Sequence, residues 1–109
     1  MKWIDLNDIQ QLRDIMELSK TGSQVIFKHS TRCFISSMIK SKLERIVPPG
    51  ETDFYCLNLL RYRHISNKIA SEFNVHHQSP QILLIKDGEC IYDESHNGID
   101  MNEIAAQVK

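Results

Sequence analysis

Two apolar runs flank a two-residue turn in "PQILLIKDGECIYDES", Pro80 to Ser95. The dipeptide Asp87-Gly88 favours a tight hairpin, so the stretch predicts two antiparallel strands. No other segment of the chain carries so clear a local signal. The remaining elements are ordered around it.

Upstream lies "QVIFK", a short run of apolar and β-branched residues that suits a strand buried on both faces. "DFYCLNL" reads as a second strand, after the loop "VPPGET" from Val47 to Thr52. Helical spacing joins Ile9, Leu12, Ile15, Met16 and Ser19, with Asn7 and Gln10 as a capping pair and Gly22 as the stop. From Phe34 to Arg45 a second helix is expected, with Ile35, Met38, Ile39 and Ile46 on one face. Ile65, Ile69, Ala70 and Phe73 mark a third. A fourth carries Met101, Ile104, Ala105 and Val108 on one stripe, opened by the capping pair Asp100 and Glu103.

The order is a helix followed by β-α-β-α-β-β-α. A β-α-β unit makes its two strands parallel through a right-handed crossover. The hairpin then adds an antiparallel pair. The expected fold is an α/β three-layer sandwich of thioredoxin-like architecture. It has a mixed four-stranded sheet, helices on both faces and an extra N-terminal helix. All 109 residues fit one domain, residues 1–109. Fold alone does not assign function.

Charge narrows the function classes. The formal charge is -1, which argues against nucleic acid or an anionic membrane as the main partner. The stretch "MKWIDLNDIQQL" interrupts its apolar residues with charges and reads as neither leader nor membrane span, so a cytoplasmic location is expected. Three cysteines, Cys33, Cys56 and Cys90, make a disulfide framework improbable and a reactive or buried thiol the better reading.

Cys33 falls where the first long strand gives way to a helix, the end at which open α/β sheets hold their sites. Unpaired N–H groups and the positive end of the helix dipole gather there. At the N-cap its sulfur would face the N–H groups of Ile35 and Ser36, which favours the ionised thiol. Lys28, His29 and Arg32 are expected to add positive charge, and Ser36 a hydroxyl hydrogen bond. The alternative is a buried, inert cysteine. The polar neighbours Ser30, Thr31 and Arg32 suit an exposed loop and favour the reactive reading. Cys56 and Cys90, flanked by apolar residues, are expected to be inert core thiols.

Ser79-Pro80 opens the hairpin. A proline cannot donate to a sheet ladder, so it belongs at a strand start. In thioredoxin-like proteins a cis proline at this point faces the catalytic cysteine, and the residue before it pairs with the substrate backbone. His76 and His77 precede this loop. With His29 and Cys33 they match no structural zinc spacing, and the expectation is solvated residues with no metal.

Three stretches carry a family resemblance: "FKHSTRCFISS", "RHISNKIASEFNVHHQSPQILLIKDG" and "DESH". They closely resemble the monothiol bacilliredoxin (YtxJ-like) family, bacillithiol-system redox-active proteins, from about Trp3 to Ile104. The resemblance implies a thioredoxin-like fold and a monothiol thiol–disulfide oxidoreductase. It implies removal of bacillithiol, or a similar low-molecular-weight thiol serving as co-substrate, from S-thiolated client proteins. A reductase is a further possible partner, and no tightly bound cofactor is expected. Cys33 matches the attacking cysteine, Ser36 the serine of the family motif and Pro80 its cis proline. Thr31, Arg32, Phe34, Ser79 and Pro80 are the positions expected to meet substrate. The family usually has proline directly after the cysteine, where this chain has Phe34. Two alternatives stay open from the residues: a glutathione-linked glutaredoxin, some of which hold an iron–sulfur cluster, and a non-catalytic interaction module.

Overall fold

The computed structural model describes the whole chain, Met1–Lys109. In chain order the elements are β1 (Trp3–Asp5), α1 (Gln10–Leu18), β2 (Gln24–His29), α2 (Phe34–Glu44) and β3 (Asp53–Asn58). There follow α3 (Arg63–Glu72), β4 (Gln81–Lys86), β5 (Glu89–Ser95), a single 3-10 turn at His96–Gly98 and α4 (Met101–Val108). The sheet has five strands rather than the expected four, in the order β1-β3-β2-β4-β5. No helix is long and apolar enough to cross a membrane.

β1 is the strand that pattern reading misses. It has three residues, only Trp3 of them half-covered, so it leaves no alternation to detect. Its hold on the fold is non-local. It pairs parallel to β3, Trp3 with Phe54 through Asp5 with Cys56. The Trp3 ring lies 5.6 Å from Phe27 and 6.1 Å from Phe54, and its indole N–H donates to Glu44 Oε2 at 2.7 Å.

Every residue of β2 is buried, as expected of a central strand flanked by parallel β3 and antiparallel β4. Its side chains alternate between two cores. Ile26 joins Leu12, Ile15, Leu57, Ile65, Ile69 and Leu83 on the α1/α3 face. Val25 and Phe27 join Ile39, Leu43, Ile82, Leu84 and Ile104 on the α2/α4 face. Each such aliphatic side chain contributes about 1.5–3 kcal/mol on leaving water.

Asp87 and Gly88 turn the hairpin with φ of 52° and 77°, the left-handed pair that a two-residue connection requires. The Gly88 N–H donates to Ser19 Oγ at 2.8 Å, pinning the end of α1 to the turn.

Three helix details differ from the expectations. The cap of α1 is Asp8 with Gln11, one residue beyond Asn7 and Gln10. Asp8 Oδ1 accepts from the Gln10 N–H at 2.9 Å, and Gln11 Oε1 accepts from the Asp8 N–H at 2.9 Å. In α2 the buried face is Ser36, Ile39 and Leu43, while Ile35 and Met38 on that helix and Ile46 just past it are exposed. Asp100 caps α4 through the Asn102 N–H at 3.2 Å, but Glu103 does not bond back and acts only as an acid near the helix start.

β2 and β3 run parallel and β4 runs against them. The ends of β2 and β3 and the start of β4 therefore lie at one end of the sheet. The Leu59 N–H donates to the His29 carbonyl across it at 3.0 Å. That end carries the loops holding Cys33 and Pro80.

Candidate active site

Cys33 is the N-cap of α2, in extended backbone with φ -102° and ψ 118°. A turn fixes it: its N–H donates to the Ser30 carbonyl at 3.1 Å, and its own carbonyl accepts from Ser37 at 3.1 Å. That last contact is the first intrahelical bond, so the N–H groups of Phe34, Ile35 and Ser36 have no protein partner. The sulfur makes no capping hydrogen bond and is half-buried. A thiolate at this point meets unpaired donors and the positive end of an 11-residue helix.

The charges read as activating are arranged differently from the expectation. Successive residues on a strand point to opposite faces, so Lys28 and His29 part company. Lys28 is fully buried on the α1/α3 side and burial pulls its pKa down to about 8. His29 goes to the α2/α4 side, stacked on Phe27 at 5.6 Å, where burial lowers its pKa and keeps it neutral. Arg32 and Thr31 are exposed beside Cys33.

Ser36 does not direct its hydroxyl at Cys33. It is fully buried, its Oγ lies 2.6 Å from His29 Nδ1, and it accepts from the Ser30 N–H at 3.0 Å. With the Ser30 N–H as donor, the hydroxyl proton goes to Nδ1 of the neutral imidazole. Ser36 therefore ties the first turn of α2 to the end of β2, directly under the loop that holds Cys33.

Ser79-Pro80 is a cis peptide bond. Pro80 is buried at the foot of β4, and its carbonyl accepts from the His96 N–H at 3.0 Å. Ser79 is half-exposed, and no protein hydrogen bond uses its backbone N–H or C=O. The peptide before the proline thus offers one donor and one acceptor to an incoming chain. His76 is exposed as expected, but His77 is not a solvated residue. Its Nδ1 lies 3.1 Å from Lys28 Nζ and 3.3 Å from Ser66 Oγ. Desolvation first, and then the Lys28 charge, lower its pKa. His29 and His77 are bonded on opposite faces of the sheet, and no three His, Cys, Asp or Glu side chains come together to hold a metal.

The other two thiols are apart from this end. Cys56 sits in β3 and Cys90 in β5, each half-buried and unpaired. Burial pushes both up to about 11, which leaves them protonated and unreactive at neutral pH.

A cysteine thus caps a helix at the end of a parallel strand, and the half-exposed Ser79 peptide lies at the same end of the sheet. The family model for monothiol bacilliredoxin, BrxC, matches residues 4–104. The chain belongs to the monothiol bacilliredoxin family. Among solved structures it is similar to a candidate oxidoreductase with a thioredoxin fold, at 28% identity and TM-score 0.81, covering 97% of this chain and 93% of that one. It is similar in fold to the thioredoxin of Malassezia sympodialis, Mala s 13 (18% identity, TM-score 0.76, 98% and 88% covered). Fasciola hepatica thioredoxin is also similar in fold (20% identity, TM-score 0.73, 96% and 98% covered). The fold is thioredoxin-like, and the chain is a thiol-redox protein of the bacilliredoxin family.

Against the bacilliredoxin pattern, Phe34 takes the first helical position with 80% of its surface exposed. The helix starts there without proline because Cys33 and Ser30 already set the turn. Phe34, Ile35 and Met38 are all exposed, so the first turns of α2 after Cys33 present apolar side chains to solvent. Pattern reading gives no role to Ser66 or Gln81, and it expects Lys28 only as a charge beside Cys33, not as a buried partner of His77. The available signal was a lysine at the end of the otherwise apolar "QVIFK" and a glutamine opening the run "QILLI".

Proposed function

We propose that the protein removes a low-molecular-weight thiol, bacillithiol by family, from client proteins that carry it as a mixed disulfide. The observation that supports this most is the position three residues after Cys33. Ser36 there is buried and bonded to His29, so Cys33 acts without a neighbouring thiol to resolve it.

The Cys33 thiolate attacks the small-thiol sulfur of the client disulfide. A bond forms between Cys33 Sγ and that sulfur as the client–sulfur bond breaks, and the client leaves as thiolate and takes a proton. A second small thiol then attacks the adduct. It leaves as a symmetrical small-molecule disulfide, and Cys33 is restored. The unpaired first-turn N–H groups of α2 stabilise charge on the Cys33 sulfur, both when it attacks and when it departs. Ser79 pairs its free backbone groups with the substrate. Thr31, Arg32 and Phe34 border the sulfur and meet whatever the disulfide carries.

The test is intact mass measurement after incubation with a bacillithiol mixed disulfide. One adduct is expected, on Cys33, with release of the client thiol. An adduct elsewhere, or client release undiminished in Cys33→Ser, overturns the reading.

A further inference from the structure

Lys28 is the largest polar side chain wholly inside the protein. No carboxylate compensates it, since the three ion pairs use Lys20, Lys40 and Lys68. A buried ammonium without a counter-ion destabilises the fold, and an apolar side chain of similar length would fill the space more favourably. Packing does not account for a lysine here.

Its contacts lead to one place. Nζ donates to the Ser66 carbonyl at 3.3 Å and to His77 Nδ1 at 3.1 Å. Because an ammonium only donates, the His77 ring must accept at Nδ1 and carry its proton on Nε2. Directly across the ladder from Lys28 stands Gln81, also buried. Paired residues share a face of the sheet. From that face Gln81 Nε2 donates to the His76 carbonyl at 3.0 Å, and Gln81 Oε1 accepts from the Gln78 N–H at 3.4 Å. The two side chains therefore grip three consecutive residues, His76, His77 and Gln78. The next residue is Ser79, whose backbone groups are free.

We infer that Lys28 is a positioning residue for substrate: with Gln81 it clamps His76–Gln78 to the sheet and α3, and so fixes the Ser79 peptide at the height where a substrate backbone pairs with it. This rests on the exchange reaction proposed above. Lys28 does not touch the reacting sulfurs. It acts through His77.

Lys28→Met keeps the length and the packing and removes the clamp. In the full chain, KM for a thiolated client peptide is expected to rise by about tenfold, with kcat within about twofold. Alkylation of Cys33 by iodoacetamide is expected to keep its wild-type rate, since the thiol is untouched. Amide exchange at His77 and Gln78 is expected to accelerate. His77→Asn, whose Oδ1 can replace Nδ1 as acceptor, is expected to hold KM near wild type, whereas His77→Leu reproduces Lys28→Met. A melting curve on each variant confirms that the fold is intact before rates are compared. Wild-type KM and wild-type exchange in Lys28→Met overturn the inference. So does a fall in Cys33 alkylation parallel to kcat, which would place Lys28's effect on the thiol. Should wild-type protein form no Cys33 adduct, the exchange reading fails on its own, while the amide-exchange arm still tests the clamp.

Discussion

His29 Nδ1 and Ser36 Oγ lie 2.6 Å apart, both buried, at the junction of β2 and α2. The hydroxyl also takes the Ser30 N–H. One side chain thus satisfies a backbone donor and an imidazole acceptor beneath the Cys33 loop. In a dithiol protein this position holds the resolving cysteine, and here it holds a structural tie. Ser36→Ala strands both partners away from water. The expected cost is about 1–3 kcal/mol of stability, read as a lower denaturation midpoint with unchanged m-value. Adduct formation on Cys33 is expected to survive below the new melting temperature. A loss of adduct with full stability retained would instead give Ser36 a direct part in the exchange.

Acid should weaken the fold before the carboxylates titrate. Burial depresses the pKa of both His29 and His77 below the ordinary 6.5. The unfolded chain then binds protons near pH 6.5 that the folded chain refuses, so stability is present above that pH and falls as pH drops through it. Each group can add a slope of at most about 1.4 kcal/mol per pH unit. Urea denaturation at pH 7, 6 and 5 is expected to show falling midpoints, and His29→Asn a shallower fall. Identical slopes in both proteins would remove His29 from the account.

The three thiols should separate cleanly by reactivity. With Cys56 and Cys90 pushed up to about 11 by burial, their thiolate fraction at pH 7.5 is roughly one in a few thousand. Cys33 sits half-exposed at a helix start. Native protein treated briefly with iodoacetamide is expected to gain one label, on Cys33, and denatured protein three. A native label on Cys56 or Cys90 would mean that β3 or β5 opens far more readily than its burial implies.

Local chemistry was legible in the sequence, and cross-sheet chemistry was not. Asp87-Gly88 announced its turn because the constraint is held in two adjacent residues. Cys33 announced its place because a strand and a helix meet there. β1 did not, because three residues acquire their stability from Phe27 and Phe54, far away in the chain. The apolar residues of α2 misled for a related reason. Ile35 and Met38 fit a helical face in spacing, but that face stays in solvent, while small Ser36 takes the interior position. Lys28 and His29 illustrate the same limit. Read along the chain they are two neighbouring cations, yet the pleat sends them into different cores, where one keeps its charge and the other stays neutral.

Lys28 also contributes to how stability changes at alkaline pH. Its pKa is about 8 in the folded chain against 10.5 in an ordinary lysine. Below pH 8 the group is charged in both states, and the folded state bears the whole cost of the buried ammonium. Between pH 8 and 10.5 the folded chain releases this proton while the unfolded chain keeps it, so the unfolded state binds more protons and stability rises with pH. Above that window both are neutral and the cost is gone. Cys56, Cys90 and Tyr55, all raised by burial, act in the opposite sense from about pH 9 upward, so the wild-type curve alone does not isolate Lys28. The difference between wild type and Lys28→Met does. At pH 7 the methionine variant is expected to be more stable by about 1–3 kcal/mol, and the gap should close as pH rises from 8 through 10.5. A gap that stays constant with pH would mean that Lys28 binds its proton equally in the folded and unfolded chains, so that burial does not disfavour its charge, and the buried ammonium assigned here would fall with that result.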